Sequence, residues 1–185
     1  MRLAVALLLL AAPAAAADLA TGERLYDDGR WRDAAAELTP LAEAGGARAQ
    51  FLLGAMLLDG GNGIVRDRPR ALALLAQAAE QGHAGAMFEL YMAQNGRPEG
   101  LRWAERLVAE GRRLDGHNRA QAALCAEALG VEQSRAGDPV KARAWLALSV
   151  ELGRAEARSA LAQLDATLTP EERARAAALA ATLTR

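Results

Sequence analysis

The chain is 185 residues long, 52% hydrophobic but only 4% aromatic, and sets 22 basic against 23 acidic residues for a formal net charge of −1. That balance gathers no excess of Lys and Arg, so the basic surface that draws a protein to nucleic acid or to an anionic membrane is not expected. The one cysteine rules out an internal disulfide, and the length suits a single domain of about 100–200 residues whose core needs no covalent staple.

The first element in chain order is a targeting segment. Arg2 precedes the apolar run Leu3 to Ala12, and Pro13 and a string of alanines follow as far as Ala17. This is the three-part plan of a secretory signal peptide, with an Ala15-x-Ala17 site before Asp18. An apolar run of about ten residues falls short of the roughly 20 that a membrane-crossing helix needs. Residues 1–17 are therefore expected to be a cleaved signal peptide, with no stable membrane insertion afterwards. No cysteine near the junction offers a lipid-anchor site. The expected location is the periplasm, with secretion as the alternative.

The body reads as helices. Ala49, Leu52, Leu53, Met56 and Leu57 share one helical face, and after the turn Gly60 to Asp67 the same spacing returns in Ala71, Leu74, Leu75, Ala78 and Ala79. Asp67 is placed to cap the second of these helices and Gly82 to end it. No stretch sustains the period-two alternation of a strand.

This helix pair recurs. Small-residue pairs that open a first helix stand at Ala49-Gln50, Ala86-Met87, Ala120-Gln121 and Ala157-Arg158, spaced 37, 34 and 37 residues apart. Asp67 to Gly82 and Asp138 to Gly153 span equal lengths, with Pro69 and Pro139 in the first turn, where proline costs no helical hydrogen bond. The expected repeats are about 18–48, 49–85, 86–119 and 120–153, with capping helices over 154–185. Within that last segment Thr169-Pro170-Glu171-Glu172 is a capping box that opens a helix to about Leu183, and the two terminal helices are expected to form a hairpin.

The residues also carry a resemblance. Ala49-Gln50-Phe51-Leu52-Leu53-Gly54, followed by Gly61-x-Gly63-Ile64-x-x-Asp67, Ala71 and Ala78-Ala79-Glu80-Gln81-Gly82-His83-Ala84, is similar to the Sel-1-like repeat family, a relative of the tetratricopeptide repeats. The fourth repeat matches in part, through Asp138, Ala142, Trp145-Leu146 and Gly153. The third departs, with Tyr91 at the packing-glycine position and the short turn Asn95-Gly96-Arg97-Pro98. The resemblance implies an all-α, right-handed superhelical solenoid of antiparallel helix pairs that works as an adaptor in protein complexes, such as an envelope regulator or assembly factor. Some cysteine-rich relatives are associated with β-lactam binding or hydrolysis, and a cell-wall glycan ligand is a further alternative. With Cys125 as the only cysteine, the disulfide-stapled subtype is not expected.

No catalytic, cofactor or metal residue is expected. His83 and His117 each precede a first helix one repeat apart, too distant to share a metal at about 2 Å, and read as helix-start residues. Ser134, Ser149 and Ser159 lack the setting of a nucleophile, and Gly60 to Gly63 lack the Lys-Ser/Thr of a phosphate loop. Cys125 reads as a small buried hydrophobe. Trp103 and Trp145 read as core anchors, and Arg97, Arg102, Arg106, Arg112 and Arg113 as a solvated face mixed with Glu99, Glu105 and Glu110. A second apolar stripe, Phe51, Ala55 and Leu58 with Phe88 and Met92 one repeat on, is left as the candidate groove for another protein or peptide.

Overall fold

The structure, a computed structural model, describes residues 17–94 and 97–184. The expected signal peptide lies outside these residues apart from Ala17, as do Asn95 and Gly96 of the third-repeat turn. The described residues form ten α-helices: α1 Leu19–Asp27, α2 Trp31–Glu43, α3 Ala47–Asp59, α4 Arg68–Glu80, α5 Ala84–Gln94, α6 Pro98–Glu110, α7 Gly116–Arg135, α8 Pro139–Glu151, α9 Ala157–Asp165 and α10 Pro170–Leu183. Their only extended pairing is a single bridge, Gly61 to Ile64, inside the α3–α4 loop.

Helix starts follow the local chemistry. Asp67 accepts from the Arg70 N–H at 3.1 Å, Asp138 from the Lys141 N–H at 2.9 Å, and Pro69 and Pro139 stand in the first turns they open. Thr169 accepts from the Glu172 N–H at 3.2 Å while Glu172 accepts from the Thr169 N–H at 2.9 Å, which completes the capping box. Gly60, Gly61, Asn62 and Gly63 all take positive φ, between 49° and 94°. Three of the four are glycines, which carry no Cβ to clash, and asparagine tolerates the left-handed region better than most residues, so the loop folds tightly enough for its bridge.

Consecutive helices pack as antiparallel pairs, α1 on α2, α3 on α4, α5 on α6 and α7 on α8, and each second helix also packs on the first helix of the next pair. First helices touch one another, α1 to α3, α3 to α5 and α5 to α7, whereas α2, α4, α6 and α8 barely meet. The stack is therefore an all-α solenoid curved with its first helices inside. Leu38, Leu52, Met56, Leu75, Met87, Leu90, Leu107, Leu129 and Leu148 fill one continuous core between the layers. Trp103 and Trp145 are both buried in it, as expected for anchors.

Glycine sets the closest helix contacts. A Cβ on Gly54 would lie 2.9 Å from Leu75 Cγ and 3.3 Å from the Ala71 carbonyl, and one on Gly130 would lie 2.8 Å from Leu146 Cγ and 3.2 Å from the Ala142 carbonyl. Leu75 and Leu146, and Ala71 and Ala142, stand at equal distances from the capping Asp67 and Asp138, so Gly130 is the packing glycine of α7. The register of α7 therefore differs from the one expected from Ala120-Gln121. Ala120 is exposed, and Cys125, fully buried, takes the place Ala49 has in α3. In the third pair, where Tyr91 replaces the packing glycine, the small residue has moved to the facing helix. A Cβ on Gly100 of α6 would lie 3.4 Å from the Tyr91 carbonyl and 3.0 Å from Gln94 Cβ.

The last two helices are not the expected hairpin. Helices α9 and α10 both pack on α8 and scarcely on each other, and α10 reaches back to α6. Ala176, fully buried, marks the contact face of α10. Arg173 turns toward the end of α9 and donates to the Asp165 and Leu168 carbonyls at 2.7 and 2.9 Å.

Candidate interaction face

The inner layer carries the residues that sequence reasoning singled out, and several it did not. On α3, Phe51 is half-buried, while Ala55 and Leu58 retain only 8% and 7% of their exposure. On α5, Phe88 is half-buried and Met92 is 53% exposed. The accessible part of the stripe is thus Phe51, Phe88 and Met92, with Ala55 and Leu58 beneath it. Val131 of α7, 39% exposed, adds a further apolar side chain.

Polar groups border this surface. The Arg48 guanidinium lies 5.6 Å from the centre of the Phe51 ring and bonds Glu23 of α1 at 2.6 Å. His83, at the start of α5, stacks on Phe51 with ring centroids 4.4 Å apart and accepts from the Ala86 N–H through Nδ1 at 3.2 Å. Burial, then the Arg48 charge, holds its imidazole below the ordinary range. His83 is thus a helix-start residue. His117 differs: it sits in the exposed first turn of α7, its Nε2 2.9 Å from Gln121 Nε2.

Sequence reasoning missed the acidic part of the face. Burial first, then the charge of Asp59, raises the Glu89 carboxyl above the usual carboxylate range. The phenol of Tyr26 is raised by burial, then by Asp59, Glu89 and Asp27, with Arg48 acting against them. Tyr91 is raised by burial, then by Cys125 and Glu132. Between α5 and α7 lies a cavity of about 460 Å³ walled by Tyr91, Leu101, Leu124, Ala128 and Val131, with Glu127, Glu132 and Arg135 at its edge. One sequence signal pointed here: Glu89 is the single charge in the otherwise uncharged helix Ala84–Gln94.

The remaining candidates hold the fold. Ser149 is fully buried and donates to the Ala123 carbonyl at 2.8 Å, and burial pushes the Cys125 thiol up to about 12. The arginines expected as a solvated face do lie at the surface, where Arg106 bonds Glu80 at 2.8 Å, Arg112 bonds Glu151 at 2.6 Å, and Arg102 covers the ring of its neighbour Trp103 at 4.6 Å. Gln50, 3% exposed, donates to the Ala42 carbonyl at 3.1 Å and to Gln77 at 2.9 Å, and accepts from Gln81 at 2.8 Å. Among the described residues no group of three or more His, Cys, Asp or Glu converges as a metal site, and no helix is long and apolar enough to cross a membrane.

Stacked helix pairs with a curved inner face define a helix-pair repeat protein. The Sel1 repeat family model matches residues 47–83 and 118–153, which hold α3–α4 and nearly all of α7–α8, so the chain carries two Sel1 repeats. No curated protein matches it. A solved structure described as a protective antigen present in uropathogenic Escherichia coli strains, displaying an SLR fold, is similar at 18% sequence identity and a TM-score of 0.45. The similarity covers 90% of this chain and 45% of that one, so the chain spans under half the other's length. Sel1 repeats generally mediate protein–protein interaction.

Proposed function

We propose that the chain is an exported, non-catalytic scaffold that holds a segment of another protein on the inner face of α3 and α5, acting in the cell envelope as a regulator or assembly factor. The observation that carries this reading is the apolar set Phe51, Phe88 and Met92, left partly or largely exposed on the inner layer. An apolar stripe on a helix face is a docking surface that needs no rearrangement of the scaffold. Export is supported by the N-terminal charge–apolar–small-residue pattern of residues 1–17.

The test is crosslinking of the tagged protein in cells, with mass spectrometry of captured chains, comparing wild type with Phe51→Glu plus Phe88→Glu after circular dichroism has shown the variant folded. A defined chain captured by wild type and lost in the folded variant supports the reading; identical captures overturn the assignment of the face. The mass of the mature N-terminus tests export in the same samples, with Asp18 expected as the first residue.

A further inference from the structure

The start of α5 is held by an imidazole, whereas the inner helices on either side of it have no side-chain cap. Gly46 and Asp115, which precede α3 and α7, give no side-chain bond to the first turn, and the second helices α4 and α8 are capped by the carboxylates of Asp67 and Asp138. Before α5 stands His83, whose Nδ1 accepts from the Ala86 N–H at 3.2 Å, an N–H that also bonds the His83 carbonyl at 3.1 Å. A backbone N–H can only donate, so Nδ1 must keep its lone pair for this bond to exist. A carboxylate keeps such a cap down to about pH 4, whereas an imidazole gives it up close to neutrality.

The same ring is packed into the inner face. It stacks on Phe51, and the Phe51 ring lies so close over the first turn of α5 that a Cβ on Gly85 would stand 3.2 Å from its Cε2 and Cζ and 3.3 Å from His83 Cε1. The charged groups of the surrounding helices are few. Arg48 of α3 lies 5.6 Å from the Phe51 ring centre and is held by Glu23 of α1; Glu80 at the end of α4 is taken by Arg106 of α6; Glu89 stands six residues further along α5. Of these only Arg48 bears on the imidazole, and no carboxylate among the described residues pairs with it. A proton on Nδ1 would turn the acceptor into a donor facing the Ala86 N–H, and would set a positive charge at the positive end of α5 beside that of Arg48.

We propose that His83 is a pH-sensitive latch on the inner face: when neutral it caps α5 and covers one side of Phe51, and when protonated it releases the Ala86 N–H and swings off the ring, so that more of Phe51 is offered in acid. The use a partner makes of Phe51 rests on the scaffold reading, but the latch is read without a partner, so the two fail separately.

The test labels the full chain with 4-fluorophenylalanine, which marks Phe51 and Phe88 and no other residue. NMR then follows the two fluorine lines and the ring protons of His83 and His117 from about pH 8 to about pH 5, with Phe88→Leu and His83→Asn to assign them. The Phe51 line is expected to move with the midpoint of the His83 ring, below the ordinary 6.5. Its shift between light and heavy water is expected to rise about twofold across that midpoint, as water reaches the ring. In His83→Asn, which keeps an acceptor for the Ala86 N–H and cannot titrate, the line is expected to stay fixed. The proposal is overturned by a Phe51 line that is still while His83 titrates, that follows His117 instead, or that moves equally in His83→Asn. A His83 ring that stays neutral until the chain unfolds overturns it as well. Should His83→Asn not fold, the coincidence of the two wild-type midpoints, or its absence, decides alone.

Discussion

The ring of Phe51 lies on the imidazole of His83, 4.4 Å between centroids and 23° from parallel, tying the second pair's first helix to the start of the third pair. Stacking buries His83, and Arg48 adds its charge nearby, so the folded chain disfavours the imidazolium. The unfolded chain, titrating near the ordinary 6.5, then binds more protons as the pH falls through that value. Stability is expected to decrease between about pH 7 and pH 5, and the wild type should lose more over this window than His83→Asn, which keeps an acceptor for the Ala86 N–H. Urea denaturation of both at several pH values reads the difference, from which the opposing contribution of Glu89 largely cancels.

Gly54 and Gly130 are the contact points of their helix pairs. Alanine at either would gain up to about 1 kcal/mol of helix propensity and incur about 1–3 kcal/mol of overpacking against Leu75 or Leu146. Net destabilisation is expected, with the midpoint of thermal unfolding lowered by a few degrees. Valine at the same positions should do more harm, since no rotamer avoids the facing leucine. An alanine variant as stable as wild type would show that the helices separate freely.

Much of this architecture was legible in the sequence because its signals are local. Asp67 with Pro69, Asp138 with Pro139 and the Thr169–Glu172 box each act within one turn, and each starts a helix where expected. The register of α7 was not legible in the same way. Its run from Ala120 to Gly130 offers small residues at several helical phases, and only the facing Leu146 and Ala142 select Gly130. The stripe Phe51–Leu58 showed periodicity but not depth, so the burial of Ala55 and Leu58 had to come from the neighbouring helices. Glu89 and Asp59 stand thirty residues apart, and nothing near either announces the other.

Cys125 is expected to be inert in the native protein. Its thiol is fully buried and pushed up to about 12, so almost no thiolate exists at neutral pH. Native protein should fail to react with a thiol reagent at pH 8, and one equivalent should react in denaturant. Native reactivity at a comparable rate would mean that α7 opens readily.

Gln50 joins three helices through side-chain bonds. Gln50→Leu would leave the Ala42 carbonyl without this donor and deprive Gln77 and Gln81 of a partner. A loss of about 0.5–1.5 kcal/mol is expected by urea denaturation, the net worth of a hydrogen bond, because Gln77 and Gln81 are exposed to water and the Ala42 carbonyl keeps the Gly45 N–H. If Gln50→Leu plus Gln77→Leu recovers part of that loss, the cost lies in the unpaired amides and not in the shape of the site.

Helix α10 spans from α8 to α6 on the side where second helices spread apart. In a curved wall, a strut fixed across the outside governs how far the inside can open. The spacing of α6 and α8 is in this sense braced from behind, by Ala176 and its neighbours on a helix away from the inner face. Selection for a better fit to a ligand could therefore act on the far side of the molecule, through side chains that alter the brace and leave the face untouched.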